Sequence, residues 1–197
     1  KASAKQLKKD GMKNLSYEGC TGDMQKLLRN AAPDEWQKWM KYNAAVKLDK
    51  VEVKRLLDEG CQILPMQWIE TDKNAHLQKL GKYVKADFKS RLVGCGQYED
   101  TTELRTDSPT CELEALNLIM SFAACHAYRL KCGDIRNAYF QGKEMGRVLL
   151  LKPPRGGLPG EGDLSDAAIL ARVSIYGIGD SGRMFWKRLR EEFLKEG

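Results

Sequence analysis

The sequence contains no Cys-x-x-Cys pair and only two histidines, His76 and His126. That scarcity argues against a zinc site, which needs closely grouped thiolates and imidazoles, so Cys20, Cys61, Cys95, Cys111, Cys125 and Cys132 read as reduced core thiols. No apolar run approaches the roughly 20 residues that cross a bilayer, and no charged-then-apolar leader resembles a signal peptide. The absences point to an intracellular protein with no membrane partner. A strong charge excess is missing too. Net charge is +6, from 33 basic against 27 acidic residues, which favours an acidic partner but is also compatible with solubility alone.

What is present is enough for a core: 42% of the 197 residues are hydrophobic, suiting one domain or two small ones. Lys and Arg gather at Lys1 to Lys13, Lys79 to Arg91 and Arg183 to Lys195, with no motif that reads base edges. Such clusters are either solvated faces or a surface that follows a phosphate backbone.

Residues 1–32, rich in Lys, Gly and small polar residues, read as a weakly ordered leader or linker. Pro33 suits the first position of a helix carrying Trp36, Met40 and Ala44, and a second helix is expected from Leu48 to Glu59, stopped by Gly60. Ile63 to Glu70 and Phe88 to Val93 read as two strands joined by a charged loop. Lys89 and Arg91, two apart on the second strand, share a face and suit either phosphate contact or the defence of an exposed edge.

Pro109 starts a helix whose Leu113, Leu116, Met120 and Ala123 form a core stripe, with His126 capped at its end. Further strands are expected at Arg147 to Lys152 and Ala168 to Val173, and a basic amphipathic helix at Ser181 to Lys195, facing either solvent or nucleic acid. The pattern is α/β, a mixed or antiparallel sheet backed by helices.

The stretch from Leu130 to Gly142 organises the rest. Leu130, Cys132 and Ile135 suggest a buried strand running into a tight connection, with Asp134 at its mouth. A carboxylate there either caps a turn or, with the Ile135 carbonyl, holds a hard cation such as Mg²⁺, while the amides of Asn137, Ala138 and Tyr139 can face an anion.

This stretch resembles the first catalytic motif of copia-type retrotransposon reverse transcriptases. Three further segments match in order: Phe88 to Gln97 resembles the family's Lys-Ala-Arg-Leu-Val segment, Thr106 to Pro109 its Thr-Phe-Ser-Pro, and Ser174 to Ile178, with Arg183 and Trp186, its Leu-Tyr-Gly-Leu segment. The resemblance implies that residues 33–197 are the fingers and incomplete palm of a right-hand polymerase, part of a Pol polyprotein that copies an RNA or DNA template with primer in a cytoplasmic virus-like particle or the nucleus. It implies Asp134 as catalytic residue and metal ligand, Ile135 as second metal ligand, Lys89 and Arg91 on the deoxynucleotide triphosphate, and Asn137 and Ala138 beside it. Tyr139 would act as sugar gate against a 2′ hydroxyl, with Tyr176 and Gly177 bordering the base pair.

Two departures stand out. Gly179 and Gly182 replace a Lys and a Pro of the family pattern, which removes a phosphate or template contact, and the Tyr-x-Asp-Asp hairpin that supplies two more carboxylates occurs nowhere. Two-metal nucleotidyl transfer holds its cations about 3.5–4 Å apart and needs those ligands, unless Asp163, Asp166 or Asp180 replaces them. The alternative is a non-catalytic nucleic-acid-binding or structural remnant of such a domain.

Overall fold

The computed structural model describes residue 15, residues 20–162, residue 164 and residues 167–196. The order is α1 (Gly22–Lys41), β1 (Ala45–Leu48), α2 (Lys50–Asp58), β2 (Ile63–Asp72), α3 (Ala75–Lys79), β3 (Phe88–Gly94), α4 (Leu113–Cys125), β4 (Leu150–Lys152), β5 (Ala168–Ala171) and α5 (Ser181–Glu196). Short 3-10 turns lie at Gly96–Tyr98 and Ala138–Gln141. The architecture is mixed α/β: five strands run β1-β5-β4-β2-β3, with β2 and β4 parallel and the other pairs antiparallel.

Local chemistry sets several boundaries. Asp49 caps α2 by accepting from the Glu52 amide at 2.9 Å, and Gly60, at φ +85°, ends it in the left-handed region that costs glycine little. At the far end of the β2–β3 hairpin the buried Asp72 accepts from the amides of Asn74 and Asp87, both at 2.9 Å. One carboxylate thus closes the base of a long loop.

The core lies between α1 and the sheet. Trp36 and Trp39 of α1 cluster with Leu64 and Leu92, while Leu149, Leu151, Ile169 and Ile175 fill the centre, and Leu28 of the same helix is buried beside Ser90 of β3. The helix starts at Gly22, not at Pro33, which sits inside it. Burial of Leu28 before the proline and Trp36 after it holds both halves in place, which offsets the lost helical hydrogen bond. Trp39, not Met40, supplies the inward face.

Further expectations fail, the reading of Cys111, Cys125 and Cys132 as core thiols among them, since all three are exposed. The segment from Leu130 to Asp134 is no strand: it joins no ladder, and Leu130 and Ile135 are exposed. Alternating apolar residues need a neighbouring strand edge, and no described strand offers one there. The apolar stripe of α4 is likewise uncovered, with Ala123 its one buried residue. His126 ends that helix as expected, its Nδ1 2.9 Å from the Phe122 carbonyl and its ring stacked on Phe122. Among the described residues, no helix is long and apolar enough to cross a membrane.

Candidate triphosphate-binding site

Segments distant in sequence meet at one open cavity of about 650 Å³. From β3 come Lys89 and Arg91, alternating with buried Ser90 and Leu92; antiparallel pairing with Ile69 and Thr71 fixes their register. Asp134, Ile135, Arg136, Asn137, Ala138 and Tyr139 form the opposite wall, and Tyr176 with Phe185 closes the third side. Lys38 reaches in from α1. Four cations and one carboxylate therefore line the space, a balance that suits a polyanion.

The wall from Asp134 to Tyr139 is anchored from beneath. Asn137 adopts φ 52° and ψ 41°, a left-handed conformation that asparagine tolerates, and turns the chain so that Phe140 is buried. Phe140 packs edge-on against Trp39 and Tyr176, with centroids at 5.4 and 5.7 Å. Tyr139 meets the Tyr176 ring edge-on at 5.0 Å, and Arg91 lies 5.5 Å from the same ring centre.

Gly177 supports this arrangement from behind and is absent from the lining. Its φ is +90°, and a Cβ there would sit 2.1 Å from the Gly94 carbonyl oxygen. Such close crossing lets the Gly94 amide donate to the Tyr176 carbonyl at 2.9 Å and the Gly96 amide to the Gly177 carbonyl at 3.1 Å, stitching the Tyr176 segment to the end of β3.

Burial shapes the titration of the site. Desolvation, then the neighbouring charge of Arg91, hold the Lys89 ammonium below the ordinary lysine range, with smaller effects from Lys38 and Lys73, while Glu35 pulls it back up. Desolvation likewise pushes the Tyr176 phenol up; Arg91 opposes this, and Glu35, Tyr139 and Asp134 add to it.

A magnesium ion would find a thin donor set. Among the described residues Asp134 is the one acid lining the cavity, and no group of three His, Cys, Asp or Glu suited to a metal occurs. One carboxylate with the Ile135 carbonyl suits a cation that arrives with its phosphates, which is how Mg²⁺ is commonly held. Asp180 does not complete the set. It is buried against Arg147, whose Nε lies 3.3 Å from one carboxylate oxygen and whose terminal nitrogen lies 3.2 Å from the other. Arg147 also pairs with buried Glu99, which accepts from the Gly179 amide at 2.9 Å. Asp163 and Asp166 lie outside the described residues.

The chain is 27% identical over 137 residues to the retrovirus-related Pol polyprotein from transposon RE2 of Arabidopsis thaliana. The similarity supports a retrotransposon Pol origin. The matched stretch takes in 68% of this chain and 9% of that polyprotein, consistent with a fragment of a much longer protein. No protein-family model matches the chain, and no solved structure matches it.

The two glycine departures have local causes. A Cβ on Gly182 would lie 2.9 Å from Ser108, where Arg183 pairs with Asp107 at 2.5 Å, so the Thr106–Pro109 segment docks directly on the start of α5. Gly179 lies against Thr101, Thr106 and the Glu99 carboxylate that its own amide reaches. Sequence reasoning missed Lys38, Arg136 and Phe185 in the cavity wall. Lys38 belongs to none of the three basic clusters, and its three-residue spacing from Glu35 is that of any ordinary helix pair.

Proposed function

We propose that this chain is part of the reverse transcriptase domain of a copia-type retrotransposon Pol polyprotein, comprising fingers and an incomplete palm. The observation that carries the reading is the convergence of Lys89 and Arg91 with the wall from Asp134 to Tyr139 in one cavity. In this reading the two β3 cations bind the triphosphate of an incoming deoxynucleotide, Tyr139 excludes a 2′ hydroxyl, and Tyr176 supports the base pair. Asp134 and the Ile135 carbonyl would hold Mg²⁺, whose charge neutralises the phosphates when bound. The partners are a primer annealed to an RNA or DNA template and the rest of the polyprotein, inside the cell.

Deoxynucleotide binding in the presence of Mg²⁺ tests the reading. Lys89→Gln and Arg91→Gln should each weaken affinity about 10- to 100-fold, the usual worth of a hydrogen bond to a charged group. Asp134→Asn should lower the Mg²⁺-dependent part of the affinity by about one to two orders of magnitude. Unchanged affinity in all three variants contradicts the assignment. A second reading, a non-catalytic nucleic-acid-binding or structural remnant, draws on Asp134 being the one acid at the cavity among the described residues. It expects duplex affinity that falls steeply with salt and varies little with sequence.

A further inference from the structure

Directly behind the cavity, α1 carries an acid-base pair that differs from the surface pairs elsewhere on the chain. Glu35 is 3% exposed, and one of its oxygens accepts from Lys38 Nζ at 3.0 Å. Its other oxygen is also buried and has no hydrogen-bond partner among the described residues. A buried carboxylate with half its bonds unmade is costly, and positive charge nearby is what offsets that cost. Here that charge comes from two residues of the cavity lining: Lys38, bonded to the carboxylate, and Lys89, whose ammonium feels it.

Lys38 faces both ways. Its side chain is 37% exposed and lines the cavity while bonded to Glu35. A lysine ammonium is a compact charge on a flexible stem, so it can lean toward the buried carboxylate or toward a ligand oxygen. The guanidinium of Arg91, set over the Tyr176 ring, has a more restricted position. Glu35 thus offsets one of the four cations that line the cavity among the described residues.

Resting on the reading of this cavity as a triphosphate site, we propose that Glu35 is a positioning residue, an internal counter-ion that competes with the ligand's phosphates for Lys38. A single phosphate can be met by Lys89 and Arg91 alone. A polyphosphate carries enough charge to draw Lys38 from Glu35 and engage the remaining cation, so the pair sharpens discrimination between long and short phosphate chains.

The test is calorimetric titration of the purified chain with inorganic triphosphate and, separately, inorganic phosphate at fixed ionic strength. Glu35→Gln keeps the shape of the side chain and an oxygen for Lys38 but removes the competing charge. It should raise triphosphate affinity about tenfold, a gain that disappears in the Glu35→Gln, Lys38→Gln double variant. Lys38→Gln alone should weaken triphosphate binding several-fold and leave inorganic phosphate unaffected, and it tests the idea independently if Glu35→Gln fails to fold. Equal or weaker triphosphate binding by folded Glu35→Gln, or no effect of Lys38→Gln, overturns the proposal. Lys89→Gln separates the two levels: if it leaves triphosphate binding untouched, the reading of the cavity itself fails. If it weakens binding while Glu35→Gln does not strengthen it, the counter-ion role alone fails.

Discussion

The guanidinium of Arg91 lies 5.5 Å from the centroid of the Tyr176 ring, joining β3 to a segment that follows β5. Because Tyr139 and Phe140 meet the same ring edge-on, one aromatic side chain holds two walls of the cavity. Tyr176→Phe should therefore preserve ligand binding, whereas Tyr176→Leu should weaken it by freeing Arg91. A double-mutant cycle on Arg91 and Tyr176, read by urea unfolding, should return a coupling of about 0.5–2 kcal/mol. A coupling of zero would mean that the two side chains are neighbours without interacting.

Arg147 is the shared partner of Glu99 and Asp180, both buried. Arg147→Met leaves two uncompensated carboxylates inside the fold and should cost about 3–5 kcal/mol in chemical denaturation at neutral pH. A loss below about 1 kcal/mol, the range of exposed pairs, would show that water reaches the network.

Gly177→Ala combines a Cβ placed 2.1 Å from a backbone oxygen with a φ of +90°. Strain of this kind costs about 1–3 kcal/mol before the clash is counted, so the variant should unfold at far lower urea or fail to accumulate as soluble protein. Gly133→Ala is the control. A Cβ at Gly133 meets nothing within 4 Å, and the change should stay within about 0.5 kcal/mol.

Lys89 gives a pH signature. Burial lowers its folded-state pKa, so the folded chain sheds that proton at a lower pH than the unfolded chain, whose lysine titrates near 10.5. Its burden on stability is fully present below the folded-state pKa and is relieved as pH rises through the interval up to 10.5. Lys89→Met should therefore be more stable than the parent at neutral pH and lack that alkaline gain. Thermal midpoints measured between neutral pH and about 10.5 check both points; a parent and variant with parallel profiles would contradict the burial.

Primer extension by the purified 197-residue chain should be absent, because Asp134 is the one acid at the cavity among the described residues and the sequence has no Tyr-x-Asp-Asp motif. Mg²⁺- and template-dependent incorporation above background would show that another acid completes the site. The chain should also self-associate as concentration rises, since Leu118 and Phe122 of α4 are 71% and 55% exposed. Leu118→Glu should shift sedimentation profiles toward monomer, and an unchanged profile would remove α4 as the cause.

Much of the fold was legible in the chain. The first residues of β2 and β3, Ile63 and Phe88, fall where the apolar runs start, and the charged loop between them separates the hairpin arms. The shared face of Lys89 and Arg91 follows from the two-residue period of a strand, and α5 begins at Ser181 as its apolar stripe requires. These features depend on neighbours within a few residues, which a sequence states directly.

Tertiary structure alone decided what covers each apolar face and which charges lose their water. Leu130, Cys132 and Ile135 have the pattern of a strand but no partner edge, and α4 has the stripe of a core helix with no described element lying over it. Pro33 sits inside α1 because packing on both sides of it outweighs a local penalty. In the Arg147 network, Arg147 meets Glu99 across 48 residues and Asp180 across 33. Glu35 and Lys38 are three residues apart, yet the burial of Glu35 beside a lysine of the cavity wall depends on how α1 lies against β3. Local spacing determines the face on which a side chain stands; contacts between distant segments determine whether that face meets protein or water, and with it the energy of every charge placed there.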